Sequence, residues 1–383
     1  FCDDLIFVPA SIVYDRILEE KSYLKELGGG EKEQENITQI IKARRFLKRR
    51  YGKIYVHFSE PFSLREYLTG RDPAAVNAHK ELAFHLVRAI NEVSPVSPLS
   101  LVATAILANH RKGFYLPELD TTVNTLLGFL KRQEAPIAGS LEDAPKAVQE
   151  TISLLIAWKI VGVMEDAPSA EDTFYFVDDE KKLELEYYKN NIIHFFIPHA
   201  LVAVSLLTGT EEIKEEEKIT DDYGFLKWLF NKEFVFEENE DPRESVSEIL
   251  ECLKDSSYVV DSGGNRGYQV TKLGLDKLPI WAALAKTYLE SYWVASRTLI
   301  QQYKKGGKKE DVLKNMNYLG KRYQKQGTIE HIGALSQLNF KNAAAFFQEK
   351  VIKAETDSEQ PSPVHEKLSQ VSQRLYELSN YRS

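Results

Sequence analysis

With 383 residues, 43% apolar content and 11% aromatics, the chain has enough core-forming side chains for two or three domains, which excludes a disordered protein. Its 49 basic against 57 acidic residues leave a net charge of −8, so no overall basic field gathers phosphates and a dedicated nucleic-acid binder is disfavoured. Cys2 and Cys252, far apart in so long a chain, exclude a disulfide framework and make a reducing cytoplasm the natural compartment.

Phe1-Cys2-Asp3-Asp4 has neither the basic start nor the apolar run of a signal peptide, and Phe1 reads as an internal boundary made by truncation, cleavage or renumbering. Leu5 to Val13 reads as a buried strand that leaves its sheet at Val8-Pro9, because proline has no N–H for a ladder. Helical turns follow through Leu27, and Gly28-Gly29-Gly30 breaks them. From Asn36 a second helix is predicted, with Ile40, Ala43 and Leu47 on one face, closed by Gly52. Ile54, Val56 and Phe58 then alternate as a strand ending at Pro61. Strand, helix and strand together predict the last crossover unit of a larger α/β sheet.

Thr69-Gly70-Arg71-Asp72-Pro73 is a turn cluster and marks the expected boundary between a first unit, residues 1–70, and a second, 71–383. Beyond it the pattern is helical over Ala78–Glu92, Leu99–Arg111, Thr121–Arg132 and Pro145–Ile160. Val161–Met164 and Phe174–Val177 form a predicted hairpin. Helices followed by a small hairpin give a winged-helix-like succession, and it recurs: a helix over Glu244–Leu253, then Tyr258–Val260 and Tyr268–Val270 across Gly263-Gly264-Asn265. Between the two, Ile192 to Leu207 is apolar but shorter than the roughly 20 residues a membrane span needs. Two readings stand, a helix on a membrane interface or partner and a buried hairpin in an all-α core, the second favoured. Glu211–Lys218 is expected as a solvated helix surface or mobile loop. Helices are predicted over Pro279–Lys304, Lys309–Gln326 and Glu330–Ala354, and Thr356–Pro363 links to a terminal helix. The expected fold class is mainly α with an N-terminal α/β portion.

Two stretches carry more than periodicity. The first is Phe7-Val8-Pro9, Ser11-Ile12-Val13-Tyr14-Asp15-Arg16-Ile17-Leu18-Glu19-Glu20, Tyr23-Leu24-Lys25-Glu26-Leu27-Gly28-Gly29, Glu31-Lys32-Glu33-Gln34-Glu35 and Tyr55-Val56-His57-Phe58-Ser59-Glu60-Pro61-Phe62-Ser63-Leu64. It resembles the last conserved block and closing strand of the glycerol-3-phosphate and dihydroxyacetone-phosphate acyltransferases, including their E-L-x-G-x-x-K-x-x-E continuation. The second, thinner, is Tyr187-Tyr188-Lys189-Asn190-Asn191 and Glu290-Ser291-Tyr292-Trp293, which resembles two helical elements of the bacterial glycerol-3-phosphate enzymes. Asn36 departs from the family, where Ser is frequent, a helix-cap exchange.

The resemblance implies the tail of an α/β acyltransferase domain followed by a large α-helical domain. It implies transfer of an acyl group from acyl-CoA or acyl carrier protein to the sn-1 hydroxyl of glycerol 3-phosphate, with dihydroxyacetone phosphate as the alternative acceptor. It places the protein peripherally on the cytoplasmic face of the inner membrane. Val8 and Pro9 are implied to line the acyl-donor side of the cleft, with Tyr14 and Asp15 bracing it. The family's catalytic His-x-x-x-x-Asp is not found: five residues beyond the eight histidines stand Phe62, Phe84, Ile90, Tyr115, His199, Val204, Ser336 and Gln370. The family's upstream Gly- and Arg-containing blocks are not seen either. No catalytic residue is therefore assigned, the catalytic half is expected upstream, and the chain alone is expected to be inactive. A non-catalytic scaffold for a membrane or partner is the reading from a different class.

Lys42, Arg44, Arg45, Lys48, Arg49, Arg50 and Lys53 are seven cations without a carboxylate between them. They suit the phosphates of coenzyme A, an acidic carrier protein or anionic headgroups, and equally a solvated helix face. His194 and His199 stand five apart, off the spacing that puts two ligands on one helix face, so no metal is expected, and the resemblance implies no organic cofactor. His57 is expected to face solvent, and Phe225–Phe236 to be core.

Overall fold

The computed structural model describes residues 4–15, 53–71, 77–164, 172–237, 240–262, 266–304, 311–353 and 364–382. The glycine break at 28–30, the basic helix expected from Asn36 with Arg44, Arg45, Lys48 and Arg49, the turn at 263–265 and the link at 356–363 lie outside them.

The chain opens with two strands rather than one. β1 (Ile6–Phe7) and β2 (Ala10–Tyr14) flank Val8-Pro9, and β3 (Ile54–Phe58) and β4 (Phe62–Ser63) return alongside them. Pro9 interrupts the pairing instead of ending it: it donates nothing, but its carbonyl accepts the Ser59 N–H at 2.9 Å, so the ribbon continues past it. β2 and β3 run antiparallel, with Ala10 opposite Phe58, Ile12 opposite Val56 and Tyr14 opposite Ile54. This corrects the expected crossover unit, whose strands would be parallel. Alternation sorts side chains onto two faces but carries no information on strand direction, and the strand expected to be buried has an open apolar face, with Leu5, Ile6, Val8 and Ile12 exposed.

α1 (Leu64–Tyr67) leaves the ribbon directly, capped by the Ser63 hydroxyl, which accepts the Glu66 N–H at 3.1 Å. α2 (Ala78–Glu92) follows at its expected bounds, and none of its residues is fully buried. α3 (Pro98–Asn109) is the opposite case: Ser97 caps it in a reciprocal box with Ser100, Pro98 sits in its first turn, and every residue from Pro98 to Ala108 is buried. α4 (Leu116–Arg132) and α5 (Ala144–Ala157) then lead to β5 (Gly162–Val163) and β6 (Tyr175–Phe176), and α6 (Asp179–Asn190) closes this part.

The same order then repeats. α7 (Ile197–Leu207) corresponds to α3, followed by β7 (Ile213–Glu215), α8 (Glu216–Leu229), α9 (Pro242–Asp255), β8 (Val259–Asp261) and β9 (Gly267–Val270). In the second copy β9 is central between β7 and β8; in the first, β6 pairs with β5 on one side and bridges Phe114 on the other. Sequence echoes accompany the geometry: Leu101-Val102-Ala103 returns as Leu201-Val202-Ala203, and Gly128-Phe129-Leu130-Lys131 as Gly224-Phe225-Leu226-Lys227. The apolar stretch at 192–207 is thus the buried helix of the second copy. Among the described residues no helix is long and apolar enough to cross a membrane. The acidic run at 211–218 is partly a strand, with Lys214 buried, because β7 is too short for its alternation to register.

α10 (Lys272–Lys304) is the axis of the core and packs on α7, α3 and the later helices. It starts seven residues before the expected Pro279. The Thr271 hydroxyl accepts the Gly274 N–H at 2.9 Å, and Gly274 lies against the Tyr258 carbonyl, where any Cβ would collide. α11 (Val312–Lys325), α12 (Gln337–Phe346), a π-helical turn over Phe347–Lys353 and α13 (Val364–Ser379) complete the described chain.

Candidate functional site

The stretch of strongest resemblance folds into a ribbon with two unlike faces. On one, Ser11 and Ser94 share a hydrogen bond at 2.9 Å, Tyr55 Oη lies 3.4 Å from Ser140 Oγ, and Val13 is buried. His57 belongs to this packed side and is half-buried, not fully solvent-facing. On the other face Ile12, Tyr14, Ile54, Val56 and Phe58 are all exposed, Phe58 at 68%. Paired across the register, they make a continuous apolar surface of the kind that marks an interface. Leu5, Ile6 and Val8 in the ribbon, and Phe84 and Val87 on α2, are exposed as well.

The residues implied for the donor side divide between these environments. Val8 and Tyr14 are exposed, whereas Pro9 and Asp15 are buried. Asp15 closes the ribbon: its Oδ2 accepts the Lys53 N–H at 2.7 Å while its own N–H donates to the Lys53 carbonyl at 3.0 Å. Burial pushes its carboxyl up against the pull of that contact with Lys53. Tyr14, the last residue of β2, and Asp15 just beyond it therefore lie in opposite environments, one exposed and one buried.

Aromatic rings anchor the ribbon. Phe7 stacks on Phe62 at 5.4 Å, Phe62 meets the His85 ring edge-on at 4.7 Å, and Tyr67 lies 5.0 Å from His85. Asp4 accepts the Ser63 hydroxyl at 2.6 Å and the Arg65 N–H at 3.1 Å, tying α1 to the first strand. At its far end α2 is joined to the helical region by Arg88 to Glu237 at 2.8 Å and by His194 Nε2 donating to the Asn91 carbonyl at 2.9 Å.

The two thinner motifs meet in the core. Lys189 on α6 pairs with Glu186 at 2.5 Å, and Asn190 accepts the Tyr288 hydroxyl at 3.1 Å. Glu290 on α10 accepts the backbone N–H groups of Glu330 and His331, each at 3.0 Å, and lies 3.2 Å from His331 Nδ1. Burial pushes both carboxyls up, but Lys189 beside Glu186 and His331 beside Glu290 outweigh it and hold each below the usual range. Burial pushes the His331 ring down, against the pull of Glu290.

A general base oriented by a carboxylate is the chemistry acyl transfer to a hydroxyl needs. His331–Glu290 is the histidine–carboxylate pair among the described residues, and both side chains are 4% exposed. It has the right groups in the wrong place, since among the described residues no hydroxyl hydrogen-bonds to the ring. His110 lies 2.8 Å from Thr122 Oγ1, and His199 packs against Phe129 at 4.6 Å with burial pushing it down to about 4. Both carboxylates also act on Arg111, and periodicity flagged neither this Arg111–Glu186–Glu290 cluster nor its sealed histidine; the only advance signal was the pair of motifs.

The chain matches the family model described as glycerol-3-phosphate acyltransferase C-terminal region over residues 23–355. It is 26% identical over 245 residues to the glycerol-3-phosphate acyltransferase of Pseudomonas fluorescens (strain SBW25), covering 60% of this chain and 28% of that protein. It is 29% identical over 225 residues to the enzyme of the same name from Pseudomonas putida (strain GB-1), covering 55% and 27%. Against the dihydroxyacetone phosphate acyltransferase of Mus musculus the identity is 26% over 368 residues, covering 90% of this chain and 53% of the mouse protein. The matched region thus spans about a quarter of the bacterial relatives and about half of the mouse one.

Proposed function

The chain belongs to the glycerol-3-phosphate acyltransferase C-terminal region family, and from that premise we propose that it is the C-terminal part of a glycerol-3-phosphate 1-O-acyltransferase. The complete protein moves a fatty acyl group from acyl-CoA or acyl carrier protein to the sn-1 hydroxyl. A base takes the hydroxyl proton, the oxygen adds to the thioester carbonyl, and the C–S bond breaks to release the thiol. In this reading the base and its orienting carboxylate come from the family's His-x-x-x-x-Asp, which is not in these 383 residues, and the opening ribbon is the closing edge of the domain that carries it.

The observation that supports this reading most is the apolar face over Ile12, Tyr14, Ile54, Val56 and Phe58, open in the very block that resembles the catalytic domain. Covering one such side chain contributes about 1.5–3 kcal/mol. Relatives several times longer than the matched region supply the occupant, the remainder of their acyltransferase domain. The buried Glu186–Lys189 and Glu290–His331 pairs then act as the internal frame of a helical support made of two winged-helix-like units, and the protein works peripherally on the cytoplasmic face of the inner membrane. Acyl transfer by the complete protein, assayed with glycerol 3-phosphate, tests the proposal; absence of product with every thioester donor would falsify it.

One observation favours a second acceptor. The alignment to the mouse dihydroxyacetone phosphate enzyme covers 90% of this chain, against 55–60% for the two bacterial relatives. Comparing the two acceptors at equal concentration decides between them.

A further inference from the structure

α11 is an outlier in charge. Its fourteen residues hold Lys314, Lys321, Arg322 and Lys325 and no carboxylate, in a chain whose acids outnumber its bases. At 100° per residue these four cations and Tyr318 fall on one side of the helix. All five are exposed, Tyr318 at 73%. Lys314 meets the capping Asp311 at 3.2 Å, in an ion pair open to solvent; Lys321, Arg322 and Lys325 form no salt bridge among the described residues. An ordinary solvated helix interleaves both signs, which this one does not.

The opposite side is firmly seated. Met316, Leu319 and Gly320 are buried, Tyr323 lies 4.8 Å from Trp293, and a Cβ at Gly320 would stand 2.5 Å from a Leu335 methyl. The basic strip is therefore held in place by the core, with its side chains splayed outward over about 16 Å of helix. A single small anion is gathered by a concave site where several donors converge. A convex strip of separated cations around a protruding aromatic fits an extended anionic plane, with lysines over headgroups and the tyrosine ring at their depth.

We propose that the outer face of α11, through Lys314, Tyr318, Lys321, Arg322 and Lys325, docks the protein on the surface of an anionic lipid bilayer. This names the surface behind the peripheral membrane placement in the functional reading and rests on that placement, not on the identity of the acyl acceptor. The test is sedimentation of the complete protein with vesicles of phosphatidylcholine alone or mixed with phosphatidylglycerol. Binding to the mixed vesicles should weaken on adding salt, fall about tenfold or more when Lys314, Lys321, Arg322 and Lys325 are all changed to Glu, and fall less with Tyr318→Ala. A control reversing the exposed Lys131, Lys146, Lys159 and Lys341 should bind as the parent does. Equal loss in both quadruple variants, undiminished binding in the α11 variant, or capture of purified acyl carrier protein by α11 in place of vesicles overturns the proposal. Acyl transfer in detergent, where no bilayer is needed, is expected to persist in the α11 variant, so a failure here is separable from a failure of the enzymatic reading.

Discussion

Gly333 lies so close to Glu186 that a Cβ on the glycine would stand 2.9 Å from the glutamate carboxyl carbon. The contact is between a short turn before α12 and the carboxylate that pairs with Lys189 inside the core. Gly333→Ala must push that carboxylate away from its partner, and the expected cost is about 1–3 kcal/mol. Urea unfolding of the variant measures it. A midpoint equal to that of the parent would show that the turn gives way freely and that the ion pair is not fixed by it.

Glu290 makes three contacts in one place, two backbone N–H groups and the His331 ring. Replacing it with Ala leaves the buried His331 N–H without an acceptor and the His331 ring without its carboxylate, which should cost about 3–5 kcal/mol. The folded fraction of Glu290→Ala should retain its specific activity within the complete enzyme, because the pair is sealed from solvent. Loss of turnover at unchanged stability would instead place His331 in the chemistry.

Glu233 offers a pH test. Its Oε2 accepts from Asn342 at 3.0 Å, and burial pushes its carboxyl up to about 7 from an ordinary 4.5. As pH rises, the unfolded chain releases this proton first. The group's contribution is therefore full below about 4.5 and declines toward about 7, at up to about 1.4 kcal/mol per pH unit. The difference in unfolding free energy between the parent and Glu233→Gln, followed from pH 4 to 8, isolates it. The glutamine variant should lack this decline, and parallel curves would sink the assignment.

Much of this architecture could be read before any coordinates. α2 matches its expected bounds, and several later helices were readable because apolar residues recur at helical spacing over ten residues or more, whereas α6 and α8 were not anticipated and the helix expected over Glu330–Ala354 is broken at Ser336, which caps α12. What stayed hidden has physical reasons. Strand direction in the ribbon is invisible to alternation, β7 is too short to show a period, and the start of α10 was masked by Pro279, which a helix capped at Thr271 tolerates at its eighth position. Of the residues the resemblance implies for the donor side, Val8 and Tyr14 are exposed, while Pro9 and Asp15 are buried within the ribbon. The buried cluster escaped because Arg111, Glu186, Glu290 and His331 come from four distant segments, and no spacing rule unites them.

The ribbon face predicts a split between contexts. Ile12→Thr and Val56→Thr keep a β-branched side chain at two exposed, cross-strand paired positions. In the 383-residue chain each should change stability by no more than about 0.5 kcal/mol. In the complete protein, with that face covered, each should cost about 1–2 kcal/mol. Equal small effects in both contexts would mean that nothing covers the ribbon.

The most direct test of the whole account is a radiolabelled acyl-CoA assay of the complete protein with glycerol 3-phosphate and, separately, dihydroxyacetone phosphate. The account predicts a lysophosphatidate acylated at the sn-1 oxygen, or its keto counterpart. Hydrolysis of the thioester with no acylated phosphate formed from either acceptor would contradict it.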